Sequence, residues 1–145
     1  MGTARTYNKD TQSLNEYLYE SIGEAFYVDG LKCKVIKLKT DPQGTRSNLP
    51  WYSNDSDVYI VLGKDGHAKQ LRIYKDHEPN KDFDWGHNHT NNHTNGEFFP
   101  KGTVHVQEYK SNMGRKGIPA RKMNNEEIKV WGEIIKKLNP NIKLK

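Results

Sequence analysis

The length, charge and cysteine content of the chain limit what it can be. At 145 residues it fits one domain, since two halves of this length would each bury too small a core, and we expect a single domain over 1–145 with 1–9 loosely held. Its 23 Lys and Arg against 18 Asp and Glu give a formal net charge of +5, which favours an anionic partner such as RNA, DNA or an acidic protein surface. The single cysteine, Cys33, excludes an intramolecular disulfide and a zinc site of several thiolates from one chain.

Hydropathy and the N-terminal residues predict where the protein works. No apolar run approaches the ~20 residues that a membrane span needs, and the N-terminus lacks the apolar core of a signal peptide. We therefore expect a protein that acts in the reducing cytosol, as a monomer, with no membrane partner.

The first predicted element is a helix. Asp10 or Thr11 is a suitable N-cap, and the turn signal Asp29–Gly30 closes the segment. Leu31 to Lys39 then alternates lysines with apolar residues, which predicts a half-buried strand in which Cys33 packs inside. The helix prediction depends on apolar residues at helical spacing: Leu14, Leu18, Ile22, Ala25 and Phe26.

A long loop and a hairpin follow. Residues 41–57 are rich in Pro, Gly, Ser and Asn, which predicts a loop, and Asp57–Leu62 is a clear strand. Residues 63–66 then read as a tight connection to a returning strand over 68–74. Period two places Leu71 and Ile73 on one face of that strand, and Arg72 and Tyr74 on the other.

The rest of the chain predicts one functional loop, one strand and one helix. Residues 76–101 are polar or turn-forming almost throughout, and a loop of this length favours a functional role. In the strand over 103–109, Val104 and Val106 point inward, so His105, Gln107 and Tyr109 share the other face. Asn124 or Asn125 caps a C-terminal helix that Asn139–Pro140 ends, with apolar residues at Ile128, Trp131, Ile134, Ile135 and Leu138.

These elements predict an α+β fold. An N-terminal helix packs against an antiparallel sheet of three to five strands, and the C-terminal helix covers part of the same side. The open face of the sheet carries the polar residues of two strands, and the loop around 87–93 closes over it. Those polar residues are Arg72, Tyr74, His105, Gln107 and Tyr109.

Four of the six histidines, His87, His89, His93 and His105, fall within one short stretch. One interpretation is a polar loop in which they only make hydrogen bonds. A second is a metal site of His87, His89 and His93, with oxygens from Asp82 and Asp84. A third is acid and base catalysis on RNA, in which a neutral imidazole takes the 2′-hydroxyl proton and a protonated one serves the leaving 5′-oxygen. The third needs no cofactor, and Arg72 is suited to stabilise charge on the phosphorane.

The order of the motifs between Pro50 and Tyr109 resembles the C-terminal toxin domains of bacterial polymorphic toxins. The resemblance implies a helix-plus-sheet ribonuclease that acts in the bacterial cytoplasm during interbacterial competition and is neutralised by a cognate immunity protein. It implies Arg72, Asp84, His87 and His105 as catalytic residues, with His89 nearby. The motifs are Pro50 and Asn54, Asp57-Val58-Tyr59, Gly66, Arg72-Ile73-Tyr74, Asp82-Phe83-Asp84-Trp85, Gly86-His87 and Val104-His105-Val106-Gln107-Glu108-Tyr109.

The chain departs from that family pattern in its last strand. Gln107 stands where the family often has a second histidine, and Val104 stands where it has proline. The acid and base partner of His105 is therefore open among His87, His89 and His93.

The sequence predicts a metal-independent ribonuclease and leaves two alternatives. Tyr109 or Trp85 would stack a base of the RNA, and lysines such as Lys101 would attract its backbone, with Tyr74 and Gln107 as further substrate contacts. The first alternative is a non-enzymatic nucleic-acid-binding module, or an inactive relative, from a mobile element. The second is a metal-dependent DNase with His87, His89 and His93 as its ligands.

Overall fold

The described part of the chain is mostly β-structure and ends in one helix. The computed structural model describes residues 7–8, 13–14, 19–39, 49–50, 52–86, 89–90, 98–109 and 118–144. The elements are β1 (Tyr7–Asn8), β2 (Ser13–Leu14), β3 (Tyr19–Val28), β4 (Leu31–Leu38), β5 (Val58–Leu62), β6 (Ala68–Lys75), β7 (Glu78–Asp84), β8 (His89–Thr90), β9 (Phe98–Phe99), β10 (His105–Glu108) and α1 (Asn125–Leu138).

Six of these strands form one mixed sheet in the order β10-β7-β6-β5-β4-β3. Strands β4 and β5 are parallel, with Val35 opposite Ile60, and every other neighbouring pair is antiparallel. Two short ribbons, β1–β2 and β8–β9, complete the strands among the described residues.

Two tight turns with positive φ angles determine much of this order. Asp29 and Gly30, at φ 52° and 79°, connect β3 to β4, and Asp76 and His77, at 52° and 74°, connect β6 to β7. Two-residue turns in which both residues have positive φ match the twist of antiparallel strands, so each turn fixes a hairpin. The predicted connection at 63–66 is also a tight turn, in which the Gly63 amide donates to the His67 carbonyl at 2.8 Å.

The main core lies between the sheet and α1, on what we call the helix side. Phe83 of β7 meets Trp131 of α1 edge to face, with ring centroids 6.4 Å apart. Alternation along β6, β7 and β10 brings Leu71, Phe83 and Val106 to this side. A second apolar cluster lies on the opposite face and consists of Tyr19, Ile36, Leu49, Tyr59, Val61 and Tyr74.

The C-terminal helix is confirmed. Asn124 is its N-cap, and the Asn124 side chain and the Glu127 carboxylate accept hydrogen bonds from each other's backbone amides. The helix ends at Leu138, directly before the Asn139–Pro140 step that cannot continue it. Within the described ranges, no helix has the length and apolar character to cross a membrane.

The predicted α+β fold with an N-terminal helix is wrong. Where a helix over 10–26 was expected, Ser13–Leu14 and Tyr19–Val28 are strands. The apolar spacing that suggested a helix contains Gly23, which has φ 74° and lies where the pairing of β3 with β4 shifts register. A glycine weakens a helix by about 1 kcal/mol, and the Asp29–Gly30 turn instead pairs the segment with β4.

The predicted antiparallel sheet of three to five strands is also wrong. The sheet has six strands because it gains β3, in place of the predicted helix, and β7, which lies inside the predicted loop over 76–101. Its Pro79, Asn80 and Asp82 are poor strand formers, but the Asp76–His77 turn and the pairing with β6 override that preference. The β4–β5 pair is parallel, and the number of residues over 39–57 meets the length that a connection between parallel strands requires.

A charged cluster attaches the start of α1 to the edge of the sheet. The buried Glu127 carboxylate accepts from Lys81 Nζ at 2.7 Å and from both terminal nitrogens of Arg121 at 2.8 Å. Arg121 also pairs with Glu108 of the edge strand β10, at 3.3 Å. Burial alone would raise the pKa of Glu127, but Arg121 and Lys81 lower it from 4.5 to about 2, so the carboxylate stays charged.

Replacing Glu127 with glutamine should make the protein less stable at neutral pH. Hydrogen bonds to charged groups are worth about 1.5–3 kcal/mol, so Glu127→Gln should lower the free energy of unfolding by about 2 kcal/mol. Because the folded-state pKa is lowered, the contribution of Glu127 is complete above pH 4.5 and is lost as the pH falls toward about 2. Urea unfolding over that range should show the difference from wild type shrinking. The exposed neighbour Glu126 supplies the control Glu126→Gln, and equal effects of the two changes would contradict this role.

Candidate functional site

A row of polar side chains lies on the face of the sheet that is opposite α1. Gln70 and Arg72 on β6 lie opposite Asp84 and Asp82 on β7, and these lie opposite His105 and Gln107 on β10. The neighbouring apolar residues face the helix side, so alternation places these six residues on one surface. With Tyr74 and Tyr109 they form what we call the polar row.

The centre of the polar row is a buried ion pair between Arg72 and Asp82. Arg72 Nε donates to Asp82 Oδ1 at 2.7 Å, and Arg72 Nη2 donates to Asp82 Oδ2 at 3.0 Å. Arg72 is 5% exposed and Asp82 is not exposed at all. The two-point contact uses the planar fork of the guanidinium, which lysine lacks.

The remaining donors of Arg72 also bind protein atoms. Nη1 donates to the carbonyls of Leu49 and Pro50 at 3.3 and 3.2 Å, and Nη2 donates to the Tyr109 hydroxyl at 3.0 Å. The five N–H groups of the guanidinium therefore all have acceptors inside the protein. Burial alone would lower the pKa of Arg72, but the charge and hydrogen bonds of Asp82 raise it above its ordinary value. Arg72 is a permanent cation that binds three segments together.

Asp82 collects further donors from both neighbouring strands. The Tyr109 hydroxyl donates to Asp82 Oδ2 at 2.5 Å, and Gln70 Nε2 donates to the same oxygen at 3.3 Å. The Arg72 guanidinium also lies 5.6 Å from the centroid of the Tyr109 ring, within the range of a cation–π contact. The charge of Asp82 is thus shared among three donor side chains.

His105 lies at the end of the polar row beneath an aromatic ring. It is fully buried, and its ring stacks on Phe99 with centroids 5.3 Å apart and an interplanar angle of 25°. Phe99 of β9 is directly opposite His89 of β8, so the backbone of the histidine-bearing segment lies next to the residue that covers His105. Asp84, opposite His105 on β7, is also buried and accepts from the Gly86 amide at 3.1 Å.

Tyr74 closes the other end of the polar row. Its hydroxyl donates to the Pro50 carbonyl, and its ring meets Tyr59 edge to face. Burial raises the pKa of Tyr74 well above its ordinary value, so the phenol stays neutral. Tyr74 therefore packs and anchors the segment at Pro50 that also accepts from Arg72.

The structure separates two of the predicted substrate contacts from the polar row. Trp85 is 2% exposed, belongs to the helix-side core and donates from its indole nitrogen to the Ala68 carbonyl at 2.7 Å. Lys101 is exposed, in the turn that precedes β10. His87 and His93 lie outside the described residues, and His89 is described by its backbone alone. Among the side chains that are described, no group of three His, Cys, Asp or Glu is arranged to hold a metal ion.

The face that was expected to be open is covered. Arg72 and His105 are buried, Gln107 is 8% exposed, and residues 49–50 and Phe99 contact the polar row. We expected an open face because polar residues are usually solvated. Instead, protein atoms of neighbouring strands and of residues 49–50 accept the hydrogen bonds of Arg72 in place of water.

Sequence reasoning placed Arg72, His105, Gln107 and Tyr109 on one face but missed the importance of two others. Asp82 was considered as a metal ligand and as part of the Asp82-Phe83-Asp84-Trp85 motif, but not as the partner of Arg72, and Gln70 was not considered. The signal for Asp82 was the D-x-D spacing, which puts Asp82 and Asp84 on the same face of a strand. Without knowing that 78–84 forms a strand, the pairing of Asp82 with Arg72 could not be derived.

Comparison of the chain with known protein families, with curated proteins and with solved structures gives no match. The resemblance to polymorphic-toxin domains therefore stays a prediction that depends on the motifs alone.

Removing the charge of Asp82 should strongly destabilise the protein. Asp82→Asn leaves the buried Arg72 guanidinium without its counter-ion, and breaking a buried pair in this way costs about 3–5 kcal/mol. Urea unfolding measures the change. The matched control is Asp76→Asn at the exposed β6–β7 turn, where φ is 52° and asparagine is well tolerated. A loss for Asp82→Asn no larger than that of the control would show that the pair is dispensable.

Proposed function

We propose that the protein is a metal-independent ribonuclease of the bacterial toxin type, with His105 as one of its acid and base groups. A histidine of the 87–93 segment supplies the second group. In the toxin setting, the enzyme acts in the cytoplasm of a bacterial cell and a cognate immunity protein neutralises it.

One observation carries this proposal. The ribbon β8–β9 places the backbone of His89 opposite Phe99, and the Phe99 ring stacks on His105. Residues directly opposite each other in an antiparallel pair have Cβ atoms about 4.5–5.5 Å apart. Two strands that each carry a candidate histidine, 16 residues apart in the sequence, therefore approach each other at one end of the polar row. Two imidazoles near one phosphodiester are what acid and base cleavage of RNA requires.

The composition of the polar row also supports a functional role. Buried ionisable groups lower stability unless each is paired, and a buried pair is often no more stabilising than apolar residues of similar volume. Arg72, Asp82, Asp84 and His105 are all buried in one row. A functional site explains this grouping better than packing alone does.

In this proposal Arg72 is a positioning residue. Its five donors already bind Asp82, Tyr109 and the backbone at Leu49 and Pro50, so it fixes the strands that carry His105 and Asp84. Stabilisation of the transition-state phosphate then falls to other cations of this basic chain.

The second candidate is a non-enzymatic nucleic-acid-binding module. The burial of His105, together with the saturation of Arg72, favours it, because catalytic groups must reach the substrate. RNA cleavage requires Phe99 to move off the His105 ring, whereas binding through surface lysines requires no such movement.

His105→Gln should abolish RNA cleavage. An acid or base group contributes about 10²–10⁴-fold to a rate, so cleavage of total RNA by the purified variant should fall by at least about 100-fold. Induction in a bacterium without an immunity protein should arrest growth and fragment RNA for wild type and not for the variant.

Because His105 is fully buried, its replacement can lower stability as well as catalysis, and a control must separate the two effects. Val106→Ala on the same strand faces the helix side and should destabilise by about 2 kcal/mol while leaving the polar row unchanged. We expect Val106→Ala to cleave RNA at temperatures where it is folded. Intact RNA with folded wild-type protein, or full cleavage by His105→Gln, would contradict the proposal.

Removal of metal ions should leave the activity intact. Acid and base catalysis by imidazoles uses no metal, so cleavage of RNA in EDTA should match cleavage in its absence. Loss of activity in EDTA that zinc restores, with degradation of plasmid DNA, would favour the metal-dependent DNase instead.

A further inference from the structure

A buried aromatic residue covers the His105 end of the polar row. Phe99 is 1% exposed, and its ring stacks on His105 with centroids 5.3 Å apart. Among the residues that the structure describes, Phe99 belongs neither to the helix-side core nor to the apolar cluster on the opposite face. Its neighbour Phe98 is 55% exposed. The burial of Phe99 therefore covers an imidazole and completes neither core.

The strand that carries Phe99 lies outside the main sheet. In the ribbon β8–β9, Phe99 pairs with His89 and Phe98 pairs with Thr90. Within the described ranges, this ribbon is separate from the six-stranded sheet. A ribbon of two short strands is marginally stable in water by itself. The contact of the Phe99 ring with His105 therefore contributes to holding the ribbon against the sheet.

The chain leaves the sheet and returns to it at one fixed point. The Gly102 amide donates to the Trp85 carbonyl at 2.8 Å, and the Gly102 carbonyl accepts from the Lys143 amide at 2.7 Å. The Thr103 amide donates to the Pro100 carbonyl at 3.0 Å, which closes a turn in which Gly102 has φ 93°. Because these bonds lie between the ribbon and β10, the ribbon can move while β7 and β10 stay paired.

We propose that the ribbon β8–β9 is a lid, and that Phe99 holds it closed over His105 in the free protein. The closed form is inactive because a stacked and fully buried imidazole does not reach a phosphodiester. Opening is a local event in which Phe99 leaves the His105 ring. Segments with few apolar contacts open more often than the core, and lids control access to many enzyme sites. The effect of the lid on RNA cleavage rests on the proposed ribonuclease function, whereas its opening does not.

Chemical modification of His105 measures the opening of the lid without any substrate. Diethyl pyrocarbonate modifies imidazoles that solvent reaches, and mass spectrometry of peptides from the full chain identifies His105. Phe99→Ala should raise the rate of modification at His105 at least about tenfold, because the stacked ring no longer favours the closed form. The matched control Phe98→Ala removes the exposed ring of the same ribbon and should leave that rate within about twofold of wild type.

The thiol of Cys33 separates lid opening from unfolding of the whole sheet. Cys33 is the single cysteine and is fully buried in the helix-side core, so a thiol reagent reaches it only when that core opens. Val106→Ala weakens the same core and leaves the Phe99 ring in place. It should speed labelling of Cys33 while leaving modification of His105 within about twofold of wild type. Low urea should speed labelling of Cys33 steeply and modification of His105 weakly, since local opening exposes little surface.

Two results would overturn the lid. Equal rates of His105 modification in Phe99→Ala and Phe98→Ala would show that the Phe99 ring does not control access. Parallel responses of His105 and Cys33 to urea would show that His105 becomes accessible only when the whole protein unfolds.

Cleavage of RNA distinguishes the lid from the ribonuclease proposal. When only the open form binds substrate, kcat/KM in Phe99→Ala should rise by about the factor found for His105 modification. Faster modification of His105 in Phe99→Ala, with no RNA cleavage by either protein, would support the lid while the ribonuclease proposal fails. Cleavage by wild type that Phe99→Ala does not increase would overturn the inhibitory role of Phe99.

Discussion

The buried pair of Arg72 and Asp82 is the interaction on which one face of this sheet depends. Taking two opposite charges out of water costs several kcal/mol for each ion, and only complete hydrogen bonding offsets that cost. Here the guanidinium has an acceptor for every N–H, and the carboxylate accepts from Arg72, Gln70 and Tyr109. The effect of the pair therefore extends beyond a local contact. It holds β6, β7, the residue after β10 and the segment at 49–50 together.

This arrangement changes the role of the residues that sequence alone made catalytic. A cation whose donors are all directed into the protein cannot also clamp a phosphate without losing one of those bonds. Arg72 is better placed to orient His105 and Asp84, which follow it along the same face. In the proposed ribonuclease, the acid and base groups belong to the His105 end of the polar row, where Phe99 and the backbone of His89 approach.

The sequence predicted the elements whose signals are local. The α1 cap, its apolar stripe and the hairpin at 63–66 each depend on a few adjacent residues, and all three are confirmed. Strands β3 and β7 were missed because pairing with the neighbouring strand of a hairpin decides them against the local pattern. The apolar spacing of β3 resembles that of a helix although it contains Gly23, and Asp82 of β7 is stabilised in a strand opposite Arg72. The face shared by Arg72 and His105 followed from period two, but its burial did not, because nothing local shows which segment covers a sheet.

The residues at the end of β7 connect the two faces of the sheet. Asp84 belongs to the polar row, Trp85 packs in the helix-side core, and Gly86 lies directly against Lys69 at the start of β6. Three consecutive residues thus cross from one surface to the other, and the hydrogen bond between Gly102 and Trp85 fixes that crossing beside the start of β10. A change of side chain at Gly86 would press on Lys69 and shift the residues on both sides of it. Since the Gly86 amide also donates to Asp84, the close packing of Gly86 on Lys69 helps to hold Asp84 at its place in the polar row.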